Sequence, residues 1–329
     1  MRKPQAGYHS FERLFADVRD ALPGDMKVRV IHSWLPSNGL FKRLLNLLQV
    51  VFLRGGVLHI TGDIQYLALG LWRRRVVLTI HDLGPLHKKI GLVRRIFRCL
   101  WYRWPIRIAT VTTTISEAVK QELVDELGPD VAAKIRVIPN CVSPLFTYAP
   151  KAWPEPPRKP VVLMVGFKPN KNLGNMVQAL RILPEEVDLR ILAEVPALQR
   201  KRLERHGIPF QELLHLSDAE VVEAYREADL LFFASTYEGF GLPILEAQAT
   251  GRPVLTSDRG AMREAAGEGA LLVDPENVTD MRSAIRRLLT DPALRSELVE
   301  RGRANVRKYN AEAVATQYAE VYLSARGRD

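Results

Sequence analysis

Short apolar runs alternate with amphipathic stretches along nearly the whole chain. Runs rich in Val, Ile and Leu, bounded by polar or Gly/Pro turns, predict strands at 27–32, 57–61, 76–80, 108–113 and 135–138. Between them, apolar positions recurring three and four residues apart predict helices at 12–21, 40–52 and 116–127. A second set of strands is predicted at 161–165, 189–192, 213–216, 230–233, 253–256 and 270–273. Strand alternating with helix is the mark of parallel sheets, so the expected fold class is α/β with two Rossmann-like, doubly wound domains. The proline-rich segment between the two sets reads as a linker. The expected division is therefore 1–147, a linker at 148–160, a second domain at 161–307 and a closing helical segment at 308–329. In that last segment Val314, Tyr318, Val321 and Tyr322 form the apolar positions.

Charge changes this picture in one place. The net charge is +10 over 329 residues. Residues 1–150 hold 22 Lys and Arg against 11 Asp and Glu, whereas the remainder is close to neutral. No acid occurs between Asp82 and Glu117, and within that stretch Leu92, Val93, Ile96, Phe97, Leu100, Trp101 and Trp104 recur at helical spacing. Arg94, Arg95, Arg98 and Arg103 fall mostly on the other side of the wheel. Two readings stay open: an apolar stripe packed on its own sheet beneath solvated arginines, or peripheral contact with an anionic membrane surface. No nucleic-acid motif accompanies the basic excess, so a nucleic-acid partner is not expected. Cys99 and Cys141 lack metal-ligand spacing and read as reduced packing residues. With no apolar signal core and no run long enough to span a bilayer, the expected location is cytoplasmic, or peripheral at the inner face of the cell membrane.

The chemistry concentrates after the run 229–234, where Glu238 and Glu246 bracket Gly239-Phe240-Gly241-Leu242 at a helix start. Free N–H groups and the positive end of the helix dipole suit a diphosphate there. Glu246, one turn inside the helix, is placed to accept hydrogen bonds from a ribose diol. Glu238, ahead of the turn, would reach hydroxyls of a sugar beyond the phosphates. Gly239 and Gly241 allow close backbone approach. The pattern suggests a nucleotide-sugar site.

These residues, from Glu238 through Pro243 to Glu246, resemble the signature of the retaining family 4 glycosyltransferases of GT-B fold. The resemblance extends to Val165-Gly166-Phe167-Lys168-Pro169-Asn170-Lys171, to the stretch around His81-Asp82, to Ser116-Glu117 and to Val137 through Asn140. It implies two domains facing across a cleft, with the closing helix crossing back to the first. Lys171 would neutralise charge on the departing β-phosphate, with Gly166 beside it; where the family commonly has an arginine, Lys168 or Asn170 stands here, Lys168 being the candidate substitute. His81 would contact the donor sugar near the anomeric centre, Ser116 would cap a helix or touch the acceptor, and Gly7 would bring backbone N–H groups to the diphosphate. His81, Lys171 and Glu238 are thus the expected catalytic residues. Arg94, Arg95, Arg98, Trp101 and Ser116 are membrane or acceptor candidates. Neither a metal nor a cofactor is expected. The donor would be GDP-mannose or a UDP-sugar, and the acceptor a glycan or lipid-linked glycan of cell-surface polysaccharide assembly. Alternatives are a nucleotide-sugar epimerase or phosphorylase on the same scaffold, or a non-catalytic nucleotide-sugar or glycan-binding partner. One departure stands out: relatives place a strand before the glycine loop, and here that loop begins almost at Met1. Either the chain is truncated or its first sheet lacks a central strand.

Overall fold

The structure, a computed structural model, describes residues 1, 10–181 and 186–327. It divides into two compact units, Met1–Cys141 with Ala311–Asp329, and Val142–Asn310. The chain passes to the second unit at Val142 and returns at Ala311, where the sequence pattern drew 148 and 308.

The first unit holds a parallel sheet of β1 (Val57–Ile60), β2 (Arg75–Ile80), β3 (Val111–Thr114) and β4 (Ile135–Val137), in that spatial order. Every residue of β2 from Val76 onward and all of β3 are buried, which explains why both read as continuous apolar or Thr runs. The helices Ser10–Asp20 and Ala311–Arg326 pack together on it, through Leu14, Phe15, Val18, Val314, Tyr318 and Val321 against Val77 and Val111. Beneath this apolar layer runs a polar chain of buried and half-buried side chains. His59 Nδ1 bonds Tyr322 Oη at 2.8 Å and its Nε2 bonds Thr79 Oγ1 at 2.7 Å, while Thr79 Oγ1 bonds Thr113 Oγ1 at 2.7 Å.

Two expectations for this unit are corrected. Residues 27–32 form no strand, and Val28 and Val30 are 48% and 37% exposed. An apolar alternation becomes a strand only when a neighbour completes its ladder; among the described residues the segment's backbone partners are Met1, whose N donates to Ile31 O at 2.8 Å and whose O accepts from Ser33 N at 3.0 Å, and the Gln49 side chain on His32 O. The strand expected at 108–113 starts at Val111, because Trp104–Ile108 continues a helix that opens at Gly91 and passes through a π-helical turn at Cys99–Arg103. The helix Leu40–Val51 buries two polar side chains beside Val50. Its buried face carries Asn46 and Gln49, which bond the backbone of Leu35, Trp34 and His32, while Leu40, Phe41, Leu44, Leu48 and Val51 point outward.

The second unit is a six-stranded parallel sheet: β5 (Val161–Val165), β6 (Asp188–Leu192), β7 (Phe210–Glu212), β8 (Leu230–Phe233), β9 (Val254–Ser257) and β10 (Leu271–Val273). Their spatial order is β10-β9-β8-β5-β6-β7. β7 lies just ahead of the expected 213–216, since His215 takes a left-handed φ of 56° that no strand accommodates.

The proline-rich segment has no regular element, yet it is packed rather than free. Trp153 lies under the Arg295 guanidinium at 3.8 Å and Tyr148 under Arg303 at 3.8 Å. Lys151 pairs with buried Asp229 at 2.8 Å, and Arg252 donates to Ala149 O at 2.8 Å. The stretch expected to be a linker is the flank of the second unit.

Candidate active site

Strand order reverses between β5 and β8: the chain leaves β5 toward β6 on one side, and β8 lies on the other. In an open parallel sheet the crevice beyond the carboxyl ends of two such strands is where ligands bind. β5 delivers Gly166 to Asn172 to that crevice, and β8 delivers Ala234 to Gly241.

Side-chain amides tie these two loops together. Asn170 Nδ2 donates to Tyr237 O at 2.8 Å and to Glu238 Oε1 at 3.3 Å, and Asn170 O accepts from Thr236 N at 2.8 Å. Asn172, in left-handed conformation at φ 57°, donates to Ala234 O at 3.0 Å and Pro275 O at 2.6 Å. The result brings Lys171 Nζ to 2.8 Å from Glu238 Oε1, with both side chains about one-sixth exposed, and 4.6 Å from the centre of the Phe233 ring. Gly166 makes the lysine's path: at φ 87°, a Cβ there would meet Lys171 Cε at 2.9 Å.

The helix Leu242–Thr250 starts directly after this pair, with Gly241 at φ 112° as its N-cap and Pro243 in its first turn. Pro243 carries no N–H and Ile244 N bonds Gly241 O at 3.0 Å, so what this end offers an anion is chiefly the positive end of the helix dipole. Phe240 is buried, edge-on to Tyr309 at 5.8 Å, so it anchors the loop. Glu246 lies on the second turn, where Tyr225 Oη donates to its Oε2 at 2.5 Å. Burial, and secondarily the Glu246 charge, pushes the Tyr225 phenol well above its ordinary pKa, so it stays a donor. Lys168 is exposed at the rim of the β5 loop.

The second unit thus carries Gly166, Lys168 and Lys171 on the loop after β5, Glu238, Gly239, Phe240 and Gly241 on the loop after β8, and Leu242 and Glu246 on the helix that follows; of these, Lys171 and Glu238 are in direct contact. His81 belongs to the first unit, where it follows β2, is 2% exposed and stands edge-on to Phe15 at 6.0 Å. Asp82 makes a turn, its Oδ1 accepting from Gly84 N at 2.8 Å. Ser116 caps the helix Glu117–Leu127 by accepting from Val119 N at 3.1 Å. Gly7 lies outside the described residues. Among the described residues no three His, Cys, Asp or Glu side chains converge on a metal-sized site.

The membrane candidates separate. Arg94 pairs with Glu126, and Arg98 donates to Glu126 O at 3.2 Å, so both brace a neighbouring helix. Trp101 is enclosed by Phe97, Tyr66 and the Arg43 guanidinium. Arg95 is exposed, together with Ile90, Leu92, Val93, Ile96 and Trp104. The apolar stripe is therefore split: Leu92, Val93, Ile96 and Trp104 face outward, while Phe97, Leu100 and Trp101 are half-buried within the unit. No helix among the described residues is long and apolar enough to cross a membrane.

The sequence pattern marks Asn170 only as the alternative to Lys168 and does not mark Asn172 or Tyr225, which hold the loop and Glu246. Asn172 alone carried a local signal, as an asparagine between a strand–turn and a helix, where left-handed backbone is tolerated.

Two family models abut along the chain: glycosyltransferase family 4 matches residues 32–144, and glycosyl transferases group 1 matches residues 147–305. The chain belongs to glycosyltransferase family 4. Among curated relatives, this family 4 chain is 32% identical over 166 residues to the O-antigen chain mannosyltransferase B of Escherichia coli, covering 47% of this chain and 43% of that protein. It is 28% identical over 239 residues to the glycogen synthase of Mycobacterium tuberculosis, covering 68% and 56%. The chain thus spans about half the length of the curated relatives it matches. The solved structure of Anabaena Alr3699/HepE in complex with UDP and glucose superposes with a TM-score of 0.78 at 19% identity, covering 98% of both chains. Sucrose-phosphate synthase from Thermosynechococcus elongatus gives 0.74 at 19%, covering 98% and 94%. The fold of this family 4 chain is GT-B.

Proposed function

We propose that this chain is a retaining hexosyltransferase that moves a sugar from a nucleoside-diphosphate donor to a glycan or lipid-linked acceptor in polysaccharide assembly. The observation that carries the reading is the Lys171–Glu238 pair, 2.8 Å apart at the switch point and directly ahead of a helix start. On donor binding the two part: the ammonium turns to the β-phosphate, and the carboxylate takes hydroxyls of the sugar. The positive end of the helix and Lys171 stabilise charge as the glycosidic bond to phosphate breaks. This work falls to fixed protein charges, which is the basis for the metal-independent reading. The acceptor hydroxyl attacks on the face the phosphate leaves, and its proton passes to that phosphate, so configuration is retained. His81 is assigned to the sugar near the anomeric centre and Glu246 to the ribose. The mannosyltransferase among the relatives favours GDP-mannose as donor; the UDP complex of a neighbour keeps UDP-sugars in the test. Thermal unfolding across UDP, GDP, ADP and their sugars decides between them. The true donor at 100 times its dissociation constant adds about 2.7 kcal/mol of stability. A panel in which no nucleotide raises Tm overturns the reading.

The same proposal puts the first unit on an anionic membrane. Exposed Leu92, Val93 and Ile96 beside Arg95 and Lys88 offer apolar insertion and charge together, in a stretch free of acid. The outward apolar face of Leu40–Val51 carries the same character. Vesicles with one-third anionic lipid should retain the protein at low salt and release it as salt rises, each basic residue contributing about 1 kcal/mol. Ile96→Asp should weaken retention about tenfold. Equal retention on neutral and anionic vesicles, or none on either, overturns it.

A further inference from the structure

We propose that Tyr225 is a positioning residue for the nucleotide's ribose, acting through Glu246. The inference rests on the assignment of Glu246 to the ribose diol and adds what holds that carboxylate in place. Tyr225 comes from the helix Asp218–Glu227 and is fully buried, yet its hydroxyl reaches another helix to donate to Glu246 Oε2 at 2.5 Å. Its other end is held as firmly. Arg252 Nε donates to Tyr225 O at 3.1 Å, and the Phe146 ring meets the Tyr225 ring edge-on at 5.4 Å. A phenol that stays protonated is a permanent donor, so one carboxylate oxygen is always committed to it. A glutamate rotates about three torsions, and a hydrogen bond from a clamped tyrosine removes that freedom before a ligand arrives. A purely structural buried tyrosine needs only a backbone carbonyl as acceptor; this one reads a side chain assigned to ligand binding.

The readout is discrimination between a ribonucleoside diphosphate and its 2′,3′-dideoxy analogue, using whichever of UDP, GDP or ADP binds. Calorimetric titration of the full chain should show the ribo form bound roughly tenfold to a hundredfold more tightly, the range expected for hydrogen bonds to a charged group. Tyr225→Phe removes one oxygen. It should cut that ratio to a few-fold at most while leaving the affinity for the dideoxy analogue within about twofold. In a Glu246→Gln background the same change should leave the ratio unaltered. Loss of affinity for both nucleotides alike, or an unchanged ratio, overturns the role of Tyr225. A wild-type protein that binds both analogues equally refutes the ribose assignment itself, and the inference falls with it.

Discussion

Lys171→Ala and Glu238→Ala each lower kcat/KM for sugar transfer by about 10²–10³-fold, the size seen when one preorganised charge is removed from a transition state. Tm moves little in either variant, because both side chains are partly solvated and neither belongs to a core cluster. The two losses differ in kind. On the proposed mechanism, loss of Lys171 would leave the departing phosphate without its cation, so kcat should fall most. Loss of Glu238, assigned to the sugar hydroxyls in that proposal, should raise the KM of the donor sugar while the nucleoside diphosphate alone still binds. Steady-state kinetics with Tm measured alongside checks both. Full activity in either variant overturns the site assignment.

Acid should destabilise the first unit through His59. Burial, with smaller contributions from the terminal amine and His81, lowers its pKa from 6.5 to about 3. A lowered histidine pKa means the folded state prefers the neutral ring. Its stabilisation is complete above pH 6.5 and is lost progressively as pH falls from 6.5 toward 3, where the unfolded chain binds a proton that the folded one refuses. The geometry supplies the reason. Protonation would make both ring nitrogens donors, yet Thr79 Oγ1 is already shared with Thr113 and, at 3.4 Å, with Tyr318. At about 1.4 kcal/mol per pKa unit, roughly 2–3 kcal/mol is lost by pH 4.5. Urea unfolding at pH 7 and 4.5, for wild type and His59→Asn, isolates this share from that of other groups. The variant should be less stable at pH 7 and lose less on acidification; equal losses would exclude His59 as the cause.

Much of the second unit was legible because its central strands are largely buried in a parallel sheet. Leu230 to Phe233 and Val161 to Val165 therefore appear as unbroken apolar runs ended by Gly or polar residues. The glycines and charges between strand and helix were legible for another reason: Gly166, Gly241 and Glu238 break local rules that an ordinary turn would keep. What escaped depends on distant partners. Residues 27–32 alternate like a strand, but pairing is not a local property. Leu40–Val51 shows an amphipathic period, and the period does not say which face turns inward; here the polar side is recruited by the backbone of residues 32–35. Tyr225 looks like any core aromatic until its hydroxyl is seen on Glu246.

Arg252 bears on where the second unit can be cut out of the gene. Nearly buried, it is committed to backbone carbonyls from separate segments: Tyr225 O at 3.1 Å, Arg226 O at 2.9 Å and Ala149 O at 2.8 Å. A fragment opened at Val161, where the first strand begins, would strip Ala149 from this guanidinium, Lys151 from Asp229 and Trp153 from Arg295. Starting the excised piece at Val142 keeps all three contacts.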